Sequence, residues 1–510
     1  MRTLPLHTPG GSQIPNPSGQ IFPLVRHCQV EVLDAFDLYE QVAKGTTHSF
    51  FLEHDDRQGG FPRRYAYIGS APYSIVTGKG KVTNVWSQKS PDAQKQLRQS
   101  PVEYLWELFR AQSFPVAPKI LPFQGGLVGC LSYDLARSFE SLTASPKDDI
   151  HFPDVYGLLV ETFVVVDQES PGIWLVFAPS PQRLMEEGWD QLYREGMITL
   201  SDLESRLQQS SPLRRQSSQP VFSPYILSEQ SASEYQDRVR ACQEFIAAGD
   251  IYQANISHRF RIEELAKEFP SAVQAGAALF RKIRRNNPSP HSAFFVLDSD
   301  VIVCNSPERL VRLIGRHVDM RPIAGTRPRG DSTALDRQLA EELVSNPKER
   351  AEHLMLVDLA RNDLGRVCEY GTVQVNELMT VERYSHVMHL VSNVSGQINE
   401  AVSPWEVIRA VFPGGTISGV PKVHCMELID RLEPVCRGLY TGSIGFMGWN
   451  GNMDWNIVIR TLLLREACGY LQVGAGIVAD SVPEREYEET IHKAKAFFRV
   501  LGSKFRGRVG

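Results

Sequence analysis

The sequence predicts a globular protein of mixed helix and strand content that forms two large units. The chain has 510 residues, 42% of them hydrophobic and 22% charged, which is typical of a folded water-soluble protein. Chains above about 300 residues usually exceed a single hydrophobic core, so two units are expected. Segments with strand-like and helix-like patterns alternate along the chain, without repeats or low-complexity tracts.

Charge and composition exclude several function classes. The formal net charge is −5, and no basic run predicts a nucleic-acid or anionic-membrane partner. No apolar stretch approaches the ~20 residues of a membrane span, and the N-terminal segment has no secretory-signal pattern. The eight cysteines lack metal-site spacing and suit a reducing compartment. We therefore expect a cytoplasmic protein that binds neither nucleic acid nor membrane.

Composition divides the chain into four parts. Residues 1–27 are rich in Pro, Gly and Ser and are expected to be a flexible extension. Residues 28–208 form an N-terminal region. Residues 209–222, with many Gln, Ser, Pro and Arg, are the predicted linker. Residues 223–510 form the second and larger region.

The N-terminal region shows strand and helix patterns. Strands are predicted at 48–54, 65–70 and 156–167, which are rich in β-branched and aromatic residues. Helices are predicted at 102–111 and 181–207, where apolar residues recur at helical spacing.

The second region opens with a predicted helix. Ser233 is the predicted N-cap, apolar residues follow at helical spacing from Tyr235 to Ile246, and Gly249 ends the helix.

Two further predicted helices carry paired carboxylates. Each of the segments 346–366 and 483–498 has two glutamates three residues apart, and hence on one face of its helix. Two such pairs could hold one Mg²⁺ ion, partly through water. Acidic residues at the start of a helix also simply complement its dipole, so spacing leaves both interpretations open. The four candidate ligands are Glu349, Glu352, Glu486 and Glu489.

Two glycine-rich segments, 412–422 and 473–481, could bring backbone N–H groups close to an anion. Neither has the spacing of a P-loop or of a dinucleotide-binding motif, and both could equally be structural turns. Together with an arginine such as Arg460, they would suit a substrate with more than one carboxylate.

These segments, with PIAGTRPRG at 322–330, resemble the chorismate-binding enzymes, a family that includes the component I subunits of anthranilate synthase and aminodeoxychorismate synthase. The resemblance covers 233–500 almost without gaps and extends more weakly to the N-terminal region. It implies an α+β fold, an α/β sandwich in which two large, mostly antiparallel sheets pack face to face with helices outside. It also implies that the linker need not separate independent domains.

The resemblance assigns roles to matching residues. The four glutamates match the magnesium ligands of the family. Glu308 matches the acid that protonates the departing C4 hydroxyl of chorismate. His389 matches a histidine that is linked to base chemistry, and Thr416 matches a residue that lies close to the substrate ring. The implied substrate contacts are Tyr440, Arg460, Gly474, Ala475, Gly476 and Lys493.

Two positions bear on the reaction. Family members that add water carry a lysine base where this chain has Gln253, so the resemblance implies that ammonia is the nucleophile. Many members that aminate C4 carry a nucleophilic lysine at the position of Ala324. Most anthranilate synthases have alanine at this position, as this chain does. Ala324 therefore favours amination at C2, which gives anthranilate and pyruvate.

Other segments favour amination at C4, which gives 4-amino-4-deoxychorismate. Anthranilate synthases bind tryptophan as a feedback inhibitor in a separate pocket. At two positions that match this pocket, His54 and His291, this chain lacks the usual residues. We therefore expect aminodeoxychorismate synthesis, with anthranilate synthesis as the alternative. A non-catalytic protein that binds chorismate or an amino acid is the alternative from another class.

The chain has no sign of its own glutaminase. Cys130 lacks the glycine that would follow a nucleophilic elbow and is expected to be a buried core residue. We therefore expect chorismate and ammonia as substrates, with a separate glutamine amidotransferase subunit supplying the ammonia.

Overall fold

The computed structural model of the chain describes residues 23–29, 34–55, 64–87, 90–110, 121–167, 172–209, 222, 224–384 and 387–502. In chain order the strands are β1 Leu24–Cys28, β2 His48–Asp55, β3 Arg64–Ser70, β4 Ser74–Lys79, β5 Val82–Ser87, β6 Ser90–Leu97, β7 Gly126–Leu131, β8 Val155–Val160, β9 Thr162–Asp167, β10 Ile173–Phe177, β11 Tyr225–Ser228, β12 Gln253–Glu263, β13 His291–Leu297, β14 Asp300–Ser306, β15 Arg309–Ile314, β16 His317–Met320, β17 Ile323–Pro328, β18 Gln374–Arg383, β19 Val387–Gln397, β20 Gly419–Val420, β21 Ser443–Gly448, β22 Met453–Asn456, β23 Thr461–Arg465 and β24 Cys468–Ile477.

The helices lie mostly in the second region. They are α1 Ala35–Val42, α2 Pro101–Arg110, α3 Pro181–Glu187, α4 Trp189–Gln209, α5 Ala232–Ala248, α6 Ala272–Asn286, α7 Thr333–Ser345, α8 Pro347–Gly365, α9 Pro404–Val411, α10 Gly415–Ser418, α11 Lys422–Leu432 and α12 Pro483–Leu501, with a 3₁₀ helix at Tyr133–Ser138.

The strands form two large antiparallel sheets. The first has the order β1-β10-β9-β3-β2-β13-β14-β23-β24-β12-β11, with β20 paired to β12. The second has the order β17-β19-β16-β15-β22-β21-β7-β8-β4-β5-β6, with β18 paired to β19. Strands from both sides of the predicted linker enter each sheet. The predicted fold class, two large antiparallel sheets with helices, is confirmed.

The core has three layers. Between the sheets, aromatic and aliphatic side chains such as Phe50 and Tyr67 of the first sheet meet Val128 and Leu158 of the second. A second layer joins the outer face of the first sheet to helices including α6 and α12, and a third joins the second sheet to helices including α8 and α9. Each fully buried side chain of this size contributes roughly 1.5–3 kcal/mol.

The predicted single strand at 156–167 is wrong, because the chain changes sheets at Glu161. β8 belongs to the second sheet and β9 to the first. The buried Glu161 carboxylate accepts a 2.8 Å hydrogen bond from the Ser180 N–H and pairs with Arg183. The turn between the sheets is therefore held by a charged residue inside an otherwise apolar run.

Two helix boundaries also differ from the prediction. The helix predicted at 181–207 is interrupted at Gly188, whose positive φ of 78° ends α3 before α4 begins. The N-cap of α5 is Ser231, which forms a capping box with Glu234, rather than Ser233. The predicted end at Gly249, in the left-handed conformation, is confirmed.

The predicted extension and linker fall largely outside the described residues, which omit 1–22 and 210–221. Strand β1 begins at Leu24, inside the segment predicted to be an extension. In the described part of the chain, no helix combines the length and apolar character needed to cross a membrane. All eight cysteines are free thiols.

Candidate active site

The candidate site lies where the chain passes between the two sheets. Glu308 stands between β14 of the first sheet and β15 of the second, and residues 457–460 connect β22 of the second sheet to β23 of the first. The two crossings are bonded to each other. The Ile457 N–H donates to the Glu308 carbonyl oxygen at 3.0 Å, and the Asn305 N–H donates to the Arg460 carbonyl oxygen at 3.2 Å. This pairing brings Glu308 and Arg460 to neighbouring positions.

The Glu308 carboxyl is buried, with 5% of the residue exposed. Burial raises its pKa to about 7, although Thr416, Arg460 and Lys493 act in the opposite direction. Its Oε1 atom makes no hydrogen bond within the described chain. Near neutral pH this carboxyl can therefore carry a proton and donate it to a bound molecule.

Arg460 places a half-buried cation next to that carboxyl. The residue has a positive φ of 50°, which is uncommon for a residue other than glycine. Burial lowers the pKa of its guanidinium, and the charges of Glu308 and Tyr384 act to raise it. No carboxylate of the described residues forms an ion pair with Arg460. A half-buried guanidinium without an ion pair is stabilised further when an anion binds beside it, which suits a carboxylate ligand.

His389 lies on β19, opposite Thr326 of β17. Its Nδ1 atom is 2.9 Å from the Thr326 hydroxyl oxygen, and its Nε2 atom is buried without a hydrogen bond in the described structure. Burial, followed by the charge of Arg460, lowers the pKa of the imidazole to about 4. His389 is therefore neutral near pH 7. Ala324 lies on the same strand as Thr326, paired with Leu390.

Strands β12 and β24 form one wall of the site. A Cβ atom at Gly474 would lie 2.3 Å from Asn255 Oδ1 and 2.8 Å from the Tyr440 hydroxyl oxygen. A Cβ atom at Gly476 would lie 2.5 Å from Gln253 Nε2. The two glycines thus leave room for three polar side chains on one face of the sheet.

Asn255 was missed by sequence reasoning. Its side-chain oxygen is buried and makes no hydrogen bond among the described residues, and neither does the Gln253 side-chain oxygen. The signal was present in the sequence, because Gln253 and Asn255 alternate on one strand as Gly474 and Gly476 alternate on its partner.

Ala475 and Lys493 flank this wall. The Ala475 side chain is buried with α5 and α11, so the backbone is the part of this residue that the site could use. The Lys493 ammonium donates to the Gly474 carbonyl oxygen at 2.7 Å and lies 2.8 Å from Glu489 Oε1. Lys493 therefore links α12 to β24.

The four glutamates extend from helices on different sheets. Helix α8 packs against β17 and β19, and α12 packs against β24. Three of the carboxylates pair with cations: Glu349 with Arg327 at 2.9 Å, Glu352 with Lys348 at 3.9 Å and Glu489 with Lys493 at 2.8 Å. Lys348, in the first turn of α8, lies 3.2 Å from Asp480, just before α12, and so joins the two helix starts.

The glutamates also act on one another electrostatically. The pKa of Glu352 is raised by burial and further by the charges of Glu349 and Glu486, although Lys348 lowers it. The pKa of Glu486 is raised by burial and by Glu489. Among the described residues, no three of the four glutamates bring their carboxylate oxygens within 4.8 Å of one another. A hard divalent cation such as Mg²⁺ would relieve their mutual repulsion and could draw them together.

The first glycine-rich segment is tightly packed. A Cβ atom at Gly415 would lie 2.2 Å from Leu359 of α8, and one at Gly414 would lie 2.7 Å from Ile457. Thr416 and Glu308 line a small cavity of about 20 Å³, and the Thr416 hydroxyl acts to lower the pKa of the Glu308 carboxyl. In the second segment, residues 473–477 belong to strand β24, so the structural-turn interpretation is wrong for them.

A larger groove of about 730 Å³ opens beside this cavity. Leu359 and Asp363 line both spaces. The Asp363 carboxylate is held by Lys422 at 2.6 Å, and Tyr252 and Met355 line the groove wall. The groove therefore comes close to Glu308 from the side of α8.

Comparisons with known proteins identify the family of the chain. The family model described as chorismate binding enzyme matches residues 33–499. The chain is 39% identical to aminodeoxychorismate synthase component 1 of Bacillus subtilis (strain 168) over 464 residues, 91% of this chain and 93% of that protein. It is 36% identical to anthranilate synthase component 1 of Bacillus caldotenax over 488 residues, 94% of this chain and 93% of that protein.

A solved structure gives the same result. The crystal structure of anthranilate synthase component I from Streptococcus pneumoniae TIGR4 matches with a TM-score of 0.74 and 30% sequence identity, covering 86% of this chain and 93% of that one. The chain is thus similar to both kinds of synthase subunit at comparable identity.

Proposed function

The chain belongs to the family of chorismate-binding enzymes, and on this basis we propose that it converts chorismate and ammonia to 4-amino-4-deoxychorismate. The proposal includes Mg²⁺ as the metal and a glutamine amidotransferase subunit as the source of ammonia. A non-catalytic binding protein is the weaker alternative, because binding alone would not require a protonated buried carboxyl beside the cation.

One observation carries the proposal. Arg460 is a half-buried guanidinium without an ion-pair partner among the described residues, and it adjoins Glu308, whose pKa is raised to about 7. A dicarboxylate substrate would supply the missing negative charge. The same substrate would then place its leaving hydroxyl within reach of a carboxyl that can donate a proton.

Glu308 is the proposed general acid. Hydroxide is a poor leaving group, so the C4–O bond breaks as Glu308 delivers its proton to the departing oxygen, and water leaves. Ammonia forms the new C–N bond at C4 and releases one proton, which restores the protonated Glu308. Chorismate and ammonia thus give 4-amino-4-deoxychorismate and water, and no oxidant or reductant is needed.

The binding residues fix the substrate for this step. Arg460 and Tyr440 are proposed to hold the enolpyruvyl carboxylate, while the backbone of 474–476 borders it. Mg²⁺ held by Glu349, Glu352, Glu486 and Glu489 would neutralise the ring carboxylate. Fixing both carboxylates at once orients the reacting carbons.

Gln253 favours ammonia over water as the nucleophile. Its neutral amide cannot take a proton from water, whereas free ammonia is nucleophilic without a base. Gln253 lies against Gly476 on the substrate wall. The neutral His389 is available to pass the proton that ammonia releases on to Glu308.

The regulatory pocket favours the C4 product. Where the resemblance implies a tryptophan-feedback pocket, this chain has His54 and His291, and both side chains adjoin the buried Asp454 carboxylate. A buried cluster of charged and polar groups leaves little apolar surface for an indole ring. An enzyme without tryptophan feedback fits the folate pathway better than tryptophan synthesis.

Anthranilate synthesis is the second candidate, and Ala324 favours it. Ala324 cannot form a covalent bond with the substrate, so amination at C4 must proceed without a lysine adduct. Amination at C2 followed by loss of pyruvate needs no such adduct.

The ammonia is proposed to come from another subunit. Both relatives described above are named as component 1 of their synthase, which suggests a second component. Cys130 is buried in β7, and burial raises the pKa of its thiol. Because the thiolate is the reactive form of cysteine, Cys130 is not suited to be the nucleophile of a glutaminase. The groove beside Leu359 and Asp363 is the proposed entrance for ammonia.

A product assay distinguishes the two candidates. Purified chain is incubated with chorismate, Mg²⁺ and ammonium, and pyruvate and anthranilate are measured. We expect neither, and we expect p-aminobenzoate to form only after aminodeoxychorismate lyase is added. Release of fluorescent anthranilate with stoichiometric pyruvate would reject the C4 assignment.

A further inference from the structure

A second cluster of metal-ligating side chains lies outside the proposed active site. It consists of His54 on β2, His291 on β13 and Asp454 on β22, all of them buried. We propose that this cluster binds a divalent transition-metal ion such as Zn²⁺, which would join the two sheets. The proposal concerns a separate site and does not depend on the reaction assigned above.

The register of the first sheet sets the two histidines side by side. Strands β2 and β13 are antiparallel, with Leu52 paired to Ala293, so that two residues further His54 faces His291. Their ring centroids are 5.5 Å apart. Directly opposed residues on one face of an antiparallel pair are close enough to act on a common ligand.

Asp454 completes the cluster from the facing sheet. Each of the three side chains offers one ligand atom, and these atoms all lie within 4.8 Å of one another. Ligands around a tetrahedral ion with bonds of about 2.1 Å are about 3.4 Å apart, so binding requires a contraction of roughly 1.4 Å at most. Rotation of buried side chains can provide a movement of this size.

The contacts inside the cluster suit a metal ion. His54 Nδ1 lies 3.2 Å from Asp454 Oδ2, within ion-pair distance. The other carboxylate oxygen, Oδ1, faces Arg309 at 3.4 Å. One oxygen of Asp454 is thus engaged by the arginine, while the second is directed at the histidines.

Asp454 carries the negative charge that a cation requires. The buried carboxylate is paired with the Arg309 guanidinium at 3.4 Å, which favours its ionised form. A buried carboxylate beside two imidazoles is a donor set for Zn²⁺, Cu²⁺, Ni²⁺ or Fe²⁺, whereas Mg²⁺ prefers oxygen donors. The four glutamates and this cluster should therefore select different metals.

The surroundings would exclude water from a bound ion. The His54 ring makes edge contacts with Phe446 at 5.3 Å and with Tyr67 at 6.1 Å. Both aromatic residues belong to the core between the sheets. An ion in this position would connect β2 and β13 of the first sheet to β22 of the second and would stabilise the native state.

The first test is metal binding by the full-length, tag-free protein. Protein stripped with chelator is titrated with Zn²⁺ in the presence of excess Mg²⁺. We expect one Zn²⁺ per chain and a rise in Tm. The variants H54Q and H291Q should each weaken Zn²⁺ binding by more than about 10-fold, because even loss of a residue that only supports a ligand costs 10–100-fold.

The matched control is H317Q, which removes an exposed histidine. H317Q should bind Zn²⁺ like the wild type, and E489Q should do so as well, because Glu489 belongs to the other proposed site. Equal Zn²⁺ affinity in H54Q, H291Q and the wild type would overturn the proposal and indicate surface binding only. Absence of stoichiometric binding by the wild type would also overturn it.

A second measurement needs no variant and so holds even if H54Q fails to fold. X-ray absorption at the zinc edge of the loaded wild-type protein should show two imidazole nitrogens and at least one oxygen. A first coordination shell of oxygen alone would place the ion elsewhere and contradict the proposal.

Discussion

Gly474 faces Tyr440 so closely that a Cβ atom at position 474 would lie 2.8 Å from the tyrosine hydroxyl oxygen. The same atom would lie 2.3 Å from Asn255 Oδ1. The Gly474 carbonyl oxygen accepts a hydrogen bond from Lys493 on the neighbouring helix. Gly474 is thus the contact point of three polar side chains that surround the proposed carboxylate site.

We expect Gly474→Ala to raise the KM for chorismate by about 10-fold or more. The added methyl group would force Asn255 and Tyr440 apart and so weaken hydrogen bonds to the substrate carboxylate, each of which is worth roughly 1.5–3 kcal/mol. Steady-state kinetics with ammonium measures this effect. The matched control is Gly365→Ala at the end of α8, where a Cβ atom meets nothing within 4 Å. An unchanged KM in G474A would remove this wall from the substrate site.

Glu308→Gln should lower kcat by roughly 10²–10⁴, the usual contribution of a positioned general acid. The amide keeps the shape of the side chain but cannot donate the required proton, so chorismate binding should persist. Isothermal titration and kcat are both measured, with E400Q, a largely exposed glutamate, as the control. Activity of E308Q within a few-fold of the wild type would assign proton donation to another group.

The pH dependence follows from the same carboxyl. Because burial raises the pKa of Glu308 to about 7, the acid is protonated below that pH and ionised above it. At a constant concentration of free ammonia, kcat should therefore fall about 10-fold per pH unit above the apparent pKa. The residual activity of E308Q should lack this alkaline limb. A wild-type kcat that stays flat from pH 6 to about 9 would contradict the assignment.

Glu489→Gln should abolish Mg²⁺-dependent turnover and the rise in Tm that Mg²⁺ is expected to cause, because a carboxylate of the proposed metal site is lost. Glu484→Gln, on the same helix with a largely exposed side chain, is the matched control. Tm in the absence of metal checks that both variants fold. Full activity of E489Q at limiting Mg²⁺ would exclude Glu489 from the metal site.

Local patterns in the sequence were sufficient to predict several elements. The helices predicted at 346–366 and 483–498 are observed as Pro347–Gly365 and Pro483–Leu501, and both begin with a proline, which is a local start signal. The pairing of acidic residues at i, i+3 is likewise a property of each helix alone.

Features that depend on contacts distant in sequence could not be predicted. The break at Glu161 depends on Ser180 and Arg183, which close the turn from a later segment. The neighbouring positions of Glu308 and Arg460 arise from two crossings about 150 residues apart in sequence, which no local pattern relates.

The cluster of His54, His291 and Asp454 illustrates the same limit. The register of β2 against β13 brings the two histidines together, and face-to-face packing of the sheets adds the aspartate. The two histidines depart from the residues that are usual in the tryptophan-feedback pocket of the family. This departure gave no reason to connect them with a carboxylate more than 150 residues further along.

The central claim is that ammonia displaces the hydroxyl of a chorismate molecule held by Mg²⁺ and Arg460. The most direct measurement is mass spectrometry of the product formed from chorismate, Mg²⁺ and ¹⁵N-labelled ammonium. We expect Mg²⁺-dependent formation of a product that carries one ¹⁵N atom in place of the hydroxyl and retains the enolpyruvyl group. An unlabelled isomer of chorismate as the product, or no consumption of chorismate, would contradict the claim.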